Sequence, residues 1–121
     1  MKKAIALLLA LVMVFALCAC GGGDKGTADN GEKVVKIGVF EPASGDSGAG
    51  GKKEMLGMQY ANQETPTVEI GGETYKVELV YSDNGSDSAK AVSAASKLVN
   101  EKVSIVLGSY GSGVSIAASD T

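Results

Sequence analysis

"VVKIGVFEPASGDSGAGG", residues 34–51, joins a compact apolar run to a glycine-rich loop. Val34 to Phe40 carries one lysine among β-branched and aromatic residues and is bounded by polar segments, the pattern of a buried strand. The loop Glu41–Gly51 follows at once. A helix is then expected over Lys52–Glu64, where Leu56 and Tyr60, flanked by Met55 and Met58, give a weak helical rhythm. Gly57 costs that helix about 1 kcal/mol relative to Ala, which points to close packing against a sheet.

The same alternation continues downstream. Thr65–Glu73 holds Pro66 and the Gly71-Gly72 pair and reads as a loop with a turn, and "YKVELVY" (Tyr75–Tyr81) reads as a second strand. "SDNGSDS" supplies turn chemistry and then a helix cap, Ser86 or Asp87. From Ala89 to Asn100, Ala91, Ala94, Ala95 and Leu98 fall on one helical face, widened by Val92 and Val99. "VSIVL" (Val103–Leu107) is a third strand, ending at Gly108, and another helix is expected from Gly113 to Ser119.

Strand–helix units in this order imply an α/β fold: a parallel sheet with right-handed crossovers, helices on both faces, and the first strand between the other two. In such a sheet a ligand lies beyond the carboxyl ends of the strands. The loops Glu41–Gly51 and Ser109–Gly113 are expected side by side there. In "GSYGSGVS" (Gly108–Ser115) the glycines, Gly111 and Gly113 among them, let backbone approach a ligand. Ser112 is expected at the N-cap of the last helix, where free amides and the helix dipole favour an anion. Capping its own helix is an equal reading of Ser112, and the two roles are compatible.

Other chemistries find little support. Aligning Gly51-Lys52 with the Gly-Lys of a phosphate loop puts Asp46 at the first glycine and Lys53 at the metal-binding hydroxyl. Nor does Gly48-x-Gly50 complete a dinucleotide fingerprint, because Lys53 stands at the third glycine. Gly113-x-Ser115 ends at Ala117 where a nucleophile elbow has its second glycine. Asp83 and Asp87 occupy turn and cap positions and read as structural. With no histidine the usual general base and metal ligand are missing, so no enzyme, metal or cofactor is expected. A net charge of −3 without arginine, and no tryptophan, argue against a nucleic-acid partner.

The amino terminus bears on location. Lys2 and Lys3 precede an uncharged apolar run, Ala4 to Leu17, long enough for a leader and shorter than the roughly 20 residues of a membrane span. Both cysteines follow, Cys18 and Cys20, with Ala19 between them. Zinc would want about four ligands, and a Cys18–Cys20 disulfide would close a very tight ring. An ordinary cleaved leader is the bland alternative, but the pattern resembles a lipoprotein signal, Leu-x-Ala-Cys. On that reading residues 1–19 are a signal peptide and Cys20 becomes the lipidated first residue. Residues 20–33, rich in Gly, Asp, Asn and Lys, form a flexible tether.

Three stretches, "VKIGVFEPASGDSGAGGKKEMLGMQYAN", "KVELVYSDNGSDSAKAVSAASKLV" and "IVLGSYGSGVSIAASD", together resemble the opening lobe of type I periplasmic binding proteins, nearest the branched-chain amino acid-binding proteins of ABC transporters. The resemblance covers Val34–Asp120. It implies that residues 34–121 are an incomplete N-terminal lobe of a two-lobed, hinged binding protein, and that the sequence is a fragment. The resemblance implies a protein that captures an amino acid and delivers it to permease subunits, with a sensory receptor of the same fold as the alternative; the lipoprotein signal adds a lipid anchor on the outer face of the cell membrane. The family's serine for the ligand carboxylate falls on Ser112, and the pocket-lining residues before it are Tyr110 and Gly111. A wall over the ligand side chain falls near Gly50, where this sequence has no side chain at all.

Overall fold

The computed structural model describes residues 31–121. The expected leader, Cys20 and the tether up to residue 30 lie outside the described residues. Seven elements follow in order: β1 (Val34–Phe40), α1 (Gly48–Glu64), β2 (Thr67–Ile70), β3 (Glu73–Tyr81), α2 (Ser88–Asn100), β4 (Ile105–Gly108) and α3 (Ser112–Ala118). They build one sheet of order β2-β3-β1-β4. β1 pairs in parallel with both β3 and β4, so Ile37 stands opposite Leu79 on one side and Ile105 on the other. The expected central place of the first strand is therefore found. The sheet begins slightly earlier than expected, because the Lys33 carbonyl already accepts from the Lys76 amide at 2.8 Å.

β2 corrects the reading of Thr65–Glu73 as a loop. Thr67–Ile70 pairs antiparallel with β3, with Ile70 opposite Glu73, which makes the sheet mixed. Gly71 and Gly72 form the two-residue turn, both at positive φ (62° and 81°), as the tight right-twisted hairpin requires.

The core lies between the sheet and α2 with α3. Phe40, Ala91, Ala94, Leu98 and Val114 are buried together there. The alanines of α2 keep the helix axis close to the sheet, and Gly38 completes the fit. A Cβ on Gly38 would stand 3.1 Å from Leu98 Cδ1 and 3.2 Å from Val103 and Val106. α2 starts at Asp87, whose carboxylate accepts from the Ala89 amide at 2.7 Å, so of the two expected caps Asp87 is the one used. Near its other end, Lys97 donates to the Tyr81 carbonyl at 2.9 Å.

α1 lies over the opposite face and is fitted more loosely. A cavity of about 330 Å³ separates Met58 and Ala61 of α1 from Ile37, Leu79 and Leu107 of the sheet. The helix expected from Leu56 and Tyr60 is found, but its covered face and two expectations, for Gly57 and for the helix start, differ. Leu56 and Tyr60 are 63% and 65% exposed, and the residues turned to the sheet are Met58 and Ala61. Gly57 faces open space and supports no close packing. α1 also starts at Gly48, inside the stretch expected to be loop.

Candidate ligand-binding site

The chain leaves the sheet three times at the same edge, after β1, β3 and β4, and the connections are stitched together. Asp83, just beyond β3, is the first stitch. Its Oδ1 accepts from the amides of Ala43 (2.8 Å), Gly85 (2.9 Å) and Ser44 (3.2 Å), and its Oδ2 from the Ser44 hydroxyl (2.7 Å). Partial burial pushes this carboxyl up, but the Ser44 hydroxyl and the three amides outweigh it and hold Asp83 below the usual carboxylate range. The expected structural role of Asp83 is what the geometry shows.

Asn84 is the second stitch and is fully buried. Its amide donates to the Phe40 carbonyl at 2.9 Å and to the Ser109 carbonyl at 3.3 Å, while its Oδ1 accepts from the Ser86 amide at 3.0 Å. One side chain thus joins the ends of β1 and β4 through the loop of β3. In sequence Asn84 is indistinguishable from ordinary turn chemistry.

These stitches flank a cavity of about 520 Å³ between the ends of β1 and β4. Its walls come from Glu41, from Glu54 and Met58 on α1, from residues 107–112, and from Ser115. Of the sequence candidates, Tyr110, Gly111 and Ser112 line it; Gly50 and Gly113 do not. Ser112 is exposed and is the first residue of α3, because Gly111 takes the N-cap position and no side chain caps the helix. The capping role expected of Ser112 is therefore not used. Gly113 instead offers its carbonyl to the Ser88 hydroxyl at 3.4 Å.

Gly50 has a different meaning from the one expected. A Cβ there would stand 2.5 Å from Tyr110 Cζ and Oη. The bare backbone makes room for the Tyr110 ring, which comes from the other loop on a backbone at φ 67°. Behind it, the buried Ser109 hydroxyl donates to the Gly111 carbonyl at 2.9 Å and lies 2.6 Å from the Ser115 hydroxyl. The hydroxyls at 109 and 115 were not singled out by the sequence reading as ligand contacts.

Glu41 is the residue least expected in this wall. It is 2% exposed and its Oε2 has no hydrogen-bond partner. Burial above all, then the negative charge of Glu54 beside it and a hydrogen bond between the two carboxyls, push its carboxyl up to about 7. Among the described residues, no group of three or more His, Cys, Asp or Glu side chains is placed to hold a metal ion.

The three strands β3, β1 and β4 run parallel, and a cavity beyond their carboxyl ends is where open α/β sheets place ligands. A model of the periplasmic binding protein family matches residues 34–121, and the chain belongs to that family. It is 34% identical over 109 residues to a Leu/Ile/Val-binding protein homolog of Brucella abortus, across 90% of this chain and 27% of the relative. The leucine binding protein of Thermotoga maritima matches at 38% identity and a TM-score of 0.64, over 72% of this chain and 24% of that one. A solute binding protein of an ABC transporter from R. palustris, in complex with benzoate, matches at 27% identity and a TM-score of 0.61, over 72% and 24%. The chain thus spans about a quarter of the length of these relatives.

Proposed function

We propose that this chain is the opening part of the first lobe of an extracytoplasmic substrate-binding protein of an ABC importer. It is anchored through a lipid on Cys20 and captures an amino acid, branched-chain or similar, for delivery to the permease. The observation that carries the reading is the cavity at the ends of β1 and β4, which gathers Tyr110, Gly111 and Ser112 on one wall. The Leu/Ile/Val-binding and leucine-binding names of two relatives support an aliphatic amino acid as ligand. In this reading Ser112 donates to the ligand carboxylate, helped by the backbone amides beside it.

The test is Ser112→Ala in the full-length protein, titrated calorimetrically with leucine and with isoleucine. A lost hydrogen bond to a charged group is worth about 1.5–3 kcal/mol, and both ligands lose similar amounts because the contact is to the carboxylate they share. The melting temperature of the unliganded protein stays nearly unchanged, since Ser112 makes no capping bond. Unchanged affinity for both ligands overturns the assignment of Ser112. Absence of any amino-acid binding by the wild type overturns the function.

A further inference from the structure

The unexplained group in the cavity wall is Glu41. Its carboxyl is almost wholly removed from water, one oxygen is unpartnered, and the other lies close against Gly108, 3.1 Å from where a Cβ there would stand. A buried, unpaired carboxylate is expensive, so a fold retains one only where something offsets it. Among the described residues no cation does so, because none of their lysines lines the cavity. The titratable side chains around Glu41 are Glu54 from α1 and Tyr110 from the loop after β4, while Asp83, beyond β3, is already engaged with Ala43 and Ser44. Glu54 adds to the negative potential and shares a hydrogen bond with Glu41, so in the empty cavity a proton takes the place that an arriving cation can fill.

We propose that Glu41, with Glu54 beside it, forms the subsite for an ammonium group on the ligand, so that the cavity selects carboxylates bearing an amine over carboxylates without one. The inference rests on the reading of this cavity as the ligand site and deepens it. The relatives span both ligand classes by name, a leucine-binding protein and a protein holding benzoate. Glu41 places this chain with the first. Met58 and Leu107 in the same wall suit an aliphatic side chain. Glu41 titrates near 7 in the unliganded protein. An arriving ammonium stabilises its ionised form, and below that pH binding displaces a proton to solvent.

The experiment is calorimetry on the full-length protein with leucine and with 4-methylpentanoate, which is leucine without its amine. Leucine is expected to bind wild type at least tenfold tighter at pH 8 than at pH 5.5, a range over which leucine keeps its own charges. 4-Methylpentanoate is expected to bind far more weakly and without that pH dependence. Glu41→Gln is expected to weaken leucine by about tenfold or more at pH 8, to flatten its pH profile, and to leave 4-methylpentanoate unchanged. Should the variant not fold, the wild type alone decides. At pH 6, titrations in buffers of different ionisation enthalpy should show close to one proton released per leucine. Leucine binding that is the same in wild type and Glu41→Gln, or that releases no proton at pH 6, overturns the ammonium subsite and leaves the amino-acid function standing. A wild type that binds 4-methylpentanoate or benzoate in preference to leucine overturns both.

Discussion

Single residues at the sheet edge carry opposite electrostatic loads. Asp83 is stabilised as an anion, so its contribution to folding is present above the unfolded carboxylate range and is lost as pH falls through its lowered folded pKa. Glu41 is the reverse. Its folded value of about 7 lies above the ordinary 4.5, so its favourable contribution is complete below 4.5 and is lost as pH rises through 7. Glu41→Gln is therefore expected to raise the melting temperature of the unliganded protein at pH 8 by a few degrees and to change it little at pH 4. Asp83→Asn is expected to lower it at pH 7, with the difference shrinking below about pH 4. Thermal melts across that pH range check both signs. Asn84→Ala leaves the buried Phe40 and Ser109 carbonyls without their donor. The expected cost is about 2–3 kcal/mol in urea unfolding. Of these residues, Asp83 was legible as structural because Asp before Asn-Gly is local turn chemistry. Asn84 and Glu41 were not, since what distinguishes them is burial by other segments of the chain, as with Asn84 and Ser109, 25 residues apart.

At the scale of elements, the strong patterns and the weak ones fared differently. The stripe of Ala91, Ala94 and Leu98 was legible because period and burial agree on a helix with one covered face. Helix α1 has little such pattern, and its residues Leu56 and Tyr60 turned out exposed. Gly57 gives a test with a definite sign. It lies mid-helix in open space, so Gly57→Ala is expected to stabilise the fold by about 0.5–1 kcal/mol, measured as a shift in the urea midpoint at unchanged m-value. Close packing at Gly57 would make the same change destabilising. The hairpin β2–β3 was open to reading, since "TVEI" and "ETYKVELV" are separated by two glycines. Pro66 and the short polar strand drew attention instead to the turn. Gly71→Val places a β-branched side chain at positive φ and is expected to cost about 1–2 kcal/mol.

At the scale of the described residues as a whole, β4 is an edge strand of the sheet they form, and its Ile105, Val106 and Leu107 are 56%, 48% and 37% exposed. An apolar edge is a template for further pairing. Residues 31–121 expressed alone are expected to self-associate with rising concentration in size-exclusion chromatography, and to bind no measurable leucine, since the chain spans only about a quarter of the length of its leucine-binding relative. In the natural host, mass spectrometry of the membrane fraction is expected to find a diacylated Cys20 as the first residue; an intact Met1 would contradict the anchor. The sequence by itself determined the strand–helix alternation, the central place of β1, the nearness of the loops after β1 and β4, and the family. The first three follow from short-range periodicity and from the handedness of crossovers, which act along the chain, and the family follows from the resemblance of the three stretches within residues 34–120. Only the tertiary structure decided that Gly111 and not Ser112 occupies the N-cap of α3, that Gly50 makes room for Tyr110, that Asn84 ties two strand ends together, and that Glu41 is buried in the cavity wall beside Glu54. These depend on which side chains meet across separate crossovers and on how much water is excluded where they meet, and neither quantity is encoded in local spacing.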